Sequence, residues 1–291
     1  MTPLRTVAIG GRLVGEGQPV FVVAEAGINH NGDVELAKRL IDAAAAAGAD
    51  AVKGQKRTVD VVYSAQELAR PRDNPFGPTN GHLKRGLELS AQAHRELDDH
   101  ARRAGLRWTA SAWDERSLDD VLALAPEFLK IASASLTDDA LLRAHRGHGI
   151  PIVLSTGMST LAEIDHAVEV LGTSDLVLLH CTSTYPSRPE ELNLRAIPML
   201  AARYDVPVGY SGHEAGIAAS TAAVALGACV VERHLTLDRG TWGSDHAASI
   251  EPAELAALVA AIRTVEAALG DGVKRVYESE IPVREKLRRV G

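Results

Sequence analysis

FVVAEAGINHNGDVELAKRLIDAAAAAGADAVKGQ, residues 21–55, contains one whole unit of a parallel sheet. The run FVVAEAG (21–27) is short and apolar, as a strand buried on both faces must be. Asn31-Gly32-Asp33 then offers a helix cap, DVELAKRLIDAAAAAG supplies the helix, and Gly48 stands where glycine closes one. AVKGQ (51–55) is the next strand, and strands joined through a helix run parallel.

The unit recurs. Further strands are read at RWTAS (107–111), FLKIAS (128–133), PIVLST (151–156), LVLLHC (176–181), PVGYS (207–211) and CVVERH (229–234), with alanine- and leucine-rich helical stretches between them. Ser159-Thr160 and Glu251-Pro252 open later helices, and Gly105, Gly172 and Gly227 close others. Eight such units predict an α/β fold, a (β/α)8 TIM barrel. No glycine-rich dinucleotide fingerprint follows any strand, which weakens an open doubly wound sheet. TVAIGGRLVG, turning at Gly10-Gly11, reads as a short N-terminal hairpin that plugs the barrel's N-terminal end. The barrel with its hairpin is expected over residues 1–272, with 273–291 a basic tail. Residues 57–90 form a long excursion after strand two, of a length that is either functional or disordered.

A net charge of -7 leaves no basic face for a phosphate backbone, so no nucleic-acid partner is expected. No run is long and apolar enough for a membrane or a signal peptide, which predicts a cytoplasmic protein. Cys181 and Cys229 lie in apolar runs and read as reduced core residues.

Barrel active sites gather at the C-terminal ends of strands. In strand order these ends carry Glu25; Lys53 and Gln55; Thr109 and Ser111; Lys130 and Ser133; Ser155 and Thr156; His180 and Ser183; Ser211 and His213; and Glu232 and His234. Lysines at buried positions are rare unless paired. Lys53 and Lys130 are either structural ion pairs with Glu25 and Glu232 or, with the hydroxyls of Ser155, Ser183 and Ser211, a phosphate site. His213 and His234 on neighbouring strand ends suit a divalent metal with positions left for substrate and water. His30 is a weaker candidate, and His180 reads as a hydrogen-bonding residue facing the packed barrel. His82, His94, His100, His145, His148 and His166 read as surface residues, and the acidic runs Asp98-Asp99 and Asp138-Asp139 as solvated or helix-starting charges.

The stretches AEAGINHNGD, GADAVKGQKR, ARPRDNPFG, LKIAS, LSTGMST, LLHCTSTYP, NLRAI, VGYSGH and ERHLTLDR…SDHAAS resemble, in order, those of the sialic acid (N-acetylneuraminate) synthase family over about residues 15–270. The resemblance implies an enzyme that condenses phosphoenolpyruvate with the open-chain aldehyde of an aldose, releasing phosphate and a 2-keto-3-deoxy sugar acid. It implies that Lys53, Lys130, Ser133, Ser155, Ser183 and Ser211 hold phosphoenolpyruvate. His213 and His234 would bind manganese or magnesium, and Glu25 would orient or deprotonate water and hydroxyl groups. Gln55, Asn74, Tyr185 and Asp245 would contact the sugar, with Thr109, Ser111, Trp113 and Ser135 counted as substrate-binding. A homodimer is implied too.

Four departures from the family pattern stand out. Gly54 replaces an aromatic residue in Lys-Phe-Gln. Trp113 follows Ala112 where Ser-Pro-Phe-Asp is usual. Ser135 stands where the family has an acidic sugar contact, which points to an acceptor other than N-acetylmannosamine. The chain stops at SEIPVREKLRRVG, so no antifreeze-like second domain is expected. Two further functions compete: a Schiff-base aldolase on Lys53 or Lys130, and a non-catalytic barrel kept for partner binding.

Overall fold

The eight strands pair in chain order, all parallel, and close into a barrel in the computed structural model, which describes residues 5–290. Residues 1–4 and 291, included in the expected ranges 1–272 and 273–291, lie outside the described residues. The strands are Phe21–Gly27, Ala51–Lys56, Arg107–Ala112, Leu129–Ile131, Ile152–Ser155, Leu176–Cys181, Val208–Gly212 and Val230–His234. The fourth is shorter than expected: the chain leaves the sheet after Ile131, and Ser133 enters a 3-10 turn, Ser133–Ser135, where its hydroxyl accepts from the Gly157 N–H at 2.9 Å.

Capping follows the sequence. The Asp33 carboxylate accepts from the backbone N–H groups of Glu35 and Leu36, and Gly48 ends that helix at φ 82°, a left-handed conformation that favours glycine. Thr160 with Glu163, and Glu251 with Glu254, form capping boxes.

Along each strand, alternate side chains point outward to the helices or inward to the axis. Outward Val22, Ala24, Val52 and Trp108 join one apolar layer with helix residues such as Leu40, Ile41 and Leu97. Inward Phe21, Val23, Phe128, Val153, Val177 and Val230 fill the N-terminal end, where Val7, Ile9 and Val14 of the hairpin Thr6–Ile9/Arg12–Gly15 pack beneath them. The hairpin therefore closes that end, as expected. Above this floor the axis turns polar.

The 57–90 excursion carries short helices, Val59–Val62 and Ala65–Ala69, a hairpin, Pro71–Asn74/Gly77–Thr79, and the helix Asn80–Leu87. Its Phe76 meets Trp242, in the loop after strand eight, edge-on at 6.4 Å between centroids. Beyond the helix Pro252–Leu269, residues 271–290 are exposed and include the helix Ile281–Leu287.

Two surface histidines must be corrected. His94 and His145 are buried. His94 shares the inward face of its helix with Ala93, Leu97 and Ala101 and packs 5.9 Å from the Trp108 ring centroid. His145 donates from its ring to the Leu141 carbonyl at 2.8 Å. Asp98 is buried as well and ion-pairs with Arg102 at 2.8 Å, whereas Asp138 caps its helix as expected.

Candidate active site

Alternation aims Lys53 and Gln55 inward from strand two, in register with Glu25 of strand one. The Lys53 ammonium pairs with Glu25, donates to Ser111 Oγ at 3.1 Å and lies 3.8 Å from Glu232. Lys130 donates to Ser155 Oγ at 2.7 Å and to the Ile131 carbonyl at 3.0 Å, with Glu232 again at 3.9 Å. Glu232 thus stands between two ammonium groups and accepts from Ser211 Oγ at 3.3 Å. Both readings of the lysines meet here: they face carboxylates, yet they also line, with serine hydroxyls, a cavity of about 240 Å³. Gly27 lies directly behind Glu25. At φ 51° and with a Cβ position only 3.1 Å from Glu25 Oε1, a side chain there would be strained and would press on that carboxylate.

The charges are graded by burial. Burial pushes the Glu25 carboxyl up to about 7, against the pull of Lys53. Burial also works against ionised Glu232, but Lys130 and Lys53 hold its pKa below the ordinary value. Burial disfavours the Lys53 ammonium, yet Glu232 and Glu25 hold its pKa above the usual lysine value. Lys130 is pushed down by burial that Glu232 only partly offsets. A carboxyl that titrates near neutrality beside two ammonium groups lets this cluster take up a proton when an anion arrives, and so stay positive around it.

His213 and His234 stand over this floor, 5.2 Å apart between ring centroids, with the Tyr185 ring 4.2 Å from the first and 5.7 Å from the second. The ring of His213 donates from Nδ1 to the Thr182 carbonyl at 2.7 Å, which turns Nε2 toward other partners. His234 Nδ1 is buried without a hydrogen bond among the described residues, its nearest charge being Asp245 Oδ2 at 3.7 Å. Burial pushes His234 down to about 3, so it is a neutral imidazole at pH 7. For His213 burial is outweighed by Cys181 and the Thr182 carbonyl, which hold its pKa above the usual value. An orphaned imidazole nitrogen beside a second imidazole oriented through its far nitrogen fits a divalent metal. Among the described residues no third His, Cys, Asp or Glu completes a ligand cluster, so the other positions would fall to substrate and water.

Gln55, Ser111, Trp113, Ser133, Ser155, Ser183, Tyr185 and Ser211 also border the cavity. Thr109 does not; its hydroxyl donates to the Phe128 carbonyl at 3.1 Å inside the barrel. Ser135 lines a neighbouring cavity of about 680 Å³, separated from the first by Trp113 and Ala134. The Asn74 amide is engaged within its own hairpin, donating to the carbonyls of Arg72 and Thr79 and accepting from Phe76 N–H. His180 points to the helix side, paired with the Leu192 carbonyl at 2.6 Å. Cys181, read as a reduced core residue, is a buried free cysteine and also borders the cavity. Its parity with Val177 and Leu179 was the available signal, since an inward residue at a strand's C-terminal end faces the mouth.

The model of the NeuB family matches residues 40–274. The chain belongs to the NeuB family. It is a synthase of the sialic and nonulosonic acid class that condenses phosphoenolpyruvate, which removes the non-catalytic barrel from consideration. This NeuB chain is 41% identical over 290 residues to N-acetylneuraminate-9-phosphate synthase of Homo sapiens, covering 98% of this chain and 81% of that protein. It is 40% identical over 285 residues to N,N'-diacetyllegionaminic acid synthase of Legionella pneumophila, covering 94% and 80%. The crystal structure of N-acetylneuraminic acid synthetase from Leptospira borgpetersenii, in complex with citrate, matches it with a TM-score of 0.87 and 33% identity over 100% of both chains.

Proposed function

We propose that this NeuB-family synthase joins phosphoenolpyruvate to an aldose to give a nonulosonate-type 2-keto-3-deoxy sugar acid, with an acceptor other than N-acetylmannosamine. The observation that carries the reading is the stacking of two buried lysines and their serine hydroxyls beneath a pair of imidazoles. Lys53 and Lys130, with Ser133, Ser155, Ser183 and Ser211, bind the phosphate and carboxylate of phosphoenolpyruvate as charge and hydrogen-bond donors. Its methylene carbon attacks the aldehyde carbon; the ester carbon, left cationic, takes up water, and phosphate leaves with carbon–oxygen cleavage. Glu25, poised near neutrality, orients or deprotonates that water. His213 and His234 are the residues that would hold manganese or magnesium, whose chemistry there is to polarise the aldehyde oxygen. Tyr185 covers the pair and limits access of stray water.

Gln55, Asn74, Ser111, Trp113, Tyr185 and Asp245 are the proposed sugar side, with the 57–90 excursion as its lid. Ser135 supports a different acceptor, because a neutral hydroxyl on a short side chain offers one oxygen and no charge where a carboxylate offers two charged ones. Near-equal identity to an N-acetylneuraminate-9-phosphate synthase and a diacetyllegionaminic acid synthase gives no preference between their sugars. The reading includes a cytoplasmic homodimer, whose subunit number light scattering checks.

The Schiff-base aldolase expected as an alternative on Lys53 or Lys130 gives way to the family, whose members condense phosphoenolpyruvate. The test of the acceptor and the metal is phosphate release from phosphoenolpyruvate with Mn2+ over a panel of hexoses, pentoses and N-acetylhexosamines, with and without chelator. Chelator-sensitive release with one sugar supports the condensation and names the acceptor. Release that is unchanged by chelator would remove the metal from the reading, and release with N-acetylmannosamine alone would overturn the different acceptor.

A further inference from the structure

Each proposed metal ligand has a charged neighbour that the chemistry above leaves unused. Glu214 follows His213, and Arg233 precedes His234; both charged side chains are buried. They point away from the barrel axis, behind the site, and meet there. Arg233 Nη1 donates to Glu214 Oε1 at 3.0 Å, to Ser220 Oγ at 2.9 Å and to the Gly216 carbonyl at 2.7 Å. Its Nη2 donates to the Glu214 carbonyl at 2.6 Å. The Glu214 carboxylate also accepts from Tyr210 Oη at 2.8 Å and from Ser220 Oγ at 2.6 Å and N–H at 3.1 Å. One guanidinium on strand eight therefore grips both the side chain and the backbone of the loop 213–216.

A buried ion pair is a weak source of stability, since desolvation of both charges offsets their attraction. What such a pair supplies well is registry. From these contacts we infer that Glu214 and Arg233 are positioning residues that fix the loop bearing His213 to the strand bearing His234, and so set the separation of the two imidazoles. The surroundings are built for that purpose. A Cβ at Gly212 would lie 2.5 Å from Glu214 Oε2, 2.7 Å from Tyr210 Cε1 and 3.0 Å from Arg233 Cδ, so any side chain there would drive the clamp apart. The backbone on the other flank is tied too: the Ser187 N–H donates to the His213 carbonyl at 3.0 Å. His213 thus has little freedom of its own, and its place relative to His234 depends on the clamp.

The inference rests on reading His213 and His234 as metal ligands, and the test separates the two. Mn2+ binding by the full chain is measured by electron paramagnetic resonance, and phosphoenolpyruvate binding by calorimetry. The double variant Glu214→Gln/Arg233→Met leaves no unpaired buried charge. It is expected to fold, to bind phosphoenolpyruvate as the wild type does, and to bind Mn2+ about ten- to a hundredfold more weakly, the usual range for residues that orient ligands. Arg233→Lys, which keeps the charge but fewer donors, should fall between. A folded double variant with wild-type Mn2+ affinity overturns the clamp alone. A wild type that binds phosphoenolpyruvate but no Mn2+ overturns the metal reading and the clamp with it. Should the double variant not fold, Tyr210→Phe removes a single hydrogen bond to Glu214; a measurable loss of Mn2+ affinity supports the inference, and an unchanged affinity overturns it.

Discussion

The six-membered ring of Trp108 fills the space that a side chain at Gly54 would need: a Cβ at residue 54 would lie 3.2 Å from both Cη2 and Cζ2, with His94 Cε1 at 3.7 Å. Gly54 faces the helix layer while its neighbours Lys53 and Gln55 face the cavity. An aromatic ring at this position would compete with Trp108 and His94 for one slot. Gly54→Phe should therefore overpack the layer and lower stability by about 1–3 kcal/mol in urea unfolding. Adding Trp108→Val should restore most of that loss. Phosphoenolpyruvate affinity should stay close to wild type in any folded variant. A collapse of that affinity in a stable Gly54→Phe protein would show that residue 54 acts on the site directly.

Lys53→Ala and Lys130→Met should each weaken phosphoenolpyruvate binding at least tenfold, the scale of one lost charge-assisted hydrogen bond of about 1.5–3 kcal/mol. The fold should survive Lys53→Ala, because Glu25, already close to neutral, takes a proton once its partner is gone. Calorimetry reads the affinity and circular dichroism the fold. Wild-type affinity in either variant would remove that lysine from the phosphate site.

Ser135→Glu should alter the relative kcat/KM among acceptor sugars by tenfold or more. Phosphoenolpyruvate affinity should be unaffected, since Ser135 borders the cavity next door. The acceptor panel measured on both proteins checks this, and an unchanged preference would place the sugar elsewhere.

His94 makes stability depend on acid. Burial pushes its pKa from 6.5 down to about 3, and neither ring nitrogen has a partner among the described residues. The unfolded chain therefore binds a proton that the folded one refuses between these values. The stability that His94 contributes is fully present above pH 6.5 and is lost as pH falls toward 3, by about 2 kcal/mol at pH 5. His94→Phe should flatten this part of the stability profile and leave pH 7 stability equal or higher. An unchanged slope between pH 5 and 7 in urea denaturation would mean that other groups produce it.

The site was legible where it obeyed strand parity. Lys53, Gln55, Lys130 and Ser155 fall on alternate positions at strand ends, and the parallel sheet turns all of them to one mouth. The same parity gave the outward direction of Gly54. Reading failed where residue type was trusted over period: His94 and Asp98 look like surface residues, but their spacing with Leu97 and Ala101 puts them on the buried face. The clamp was out of reach for another reason. Glu214 and Arg233 are nineteen positions apart, and only the pairing of strands seven and eight brings them together. Hydrogen bonds of that kind leave no local pattern to read.

The hairpin under the barrel has a kinetic consequence. With Val7, Ile9 and Val14 packed across the N-terminal end, the cavity opens toward the opposite one, and the lysines lie at its inner end while Tyr185 stands half open at its rim. Whatever binds the lysines must enter before the molecule that rests above it, and must leave after it. Turnover should accordingly be sequential and ordered, with inorganic phosphate competing against phosphoenolpyruvate and not against the sugar.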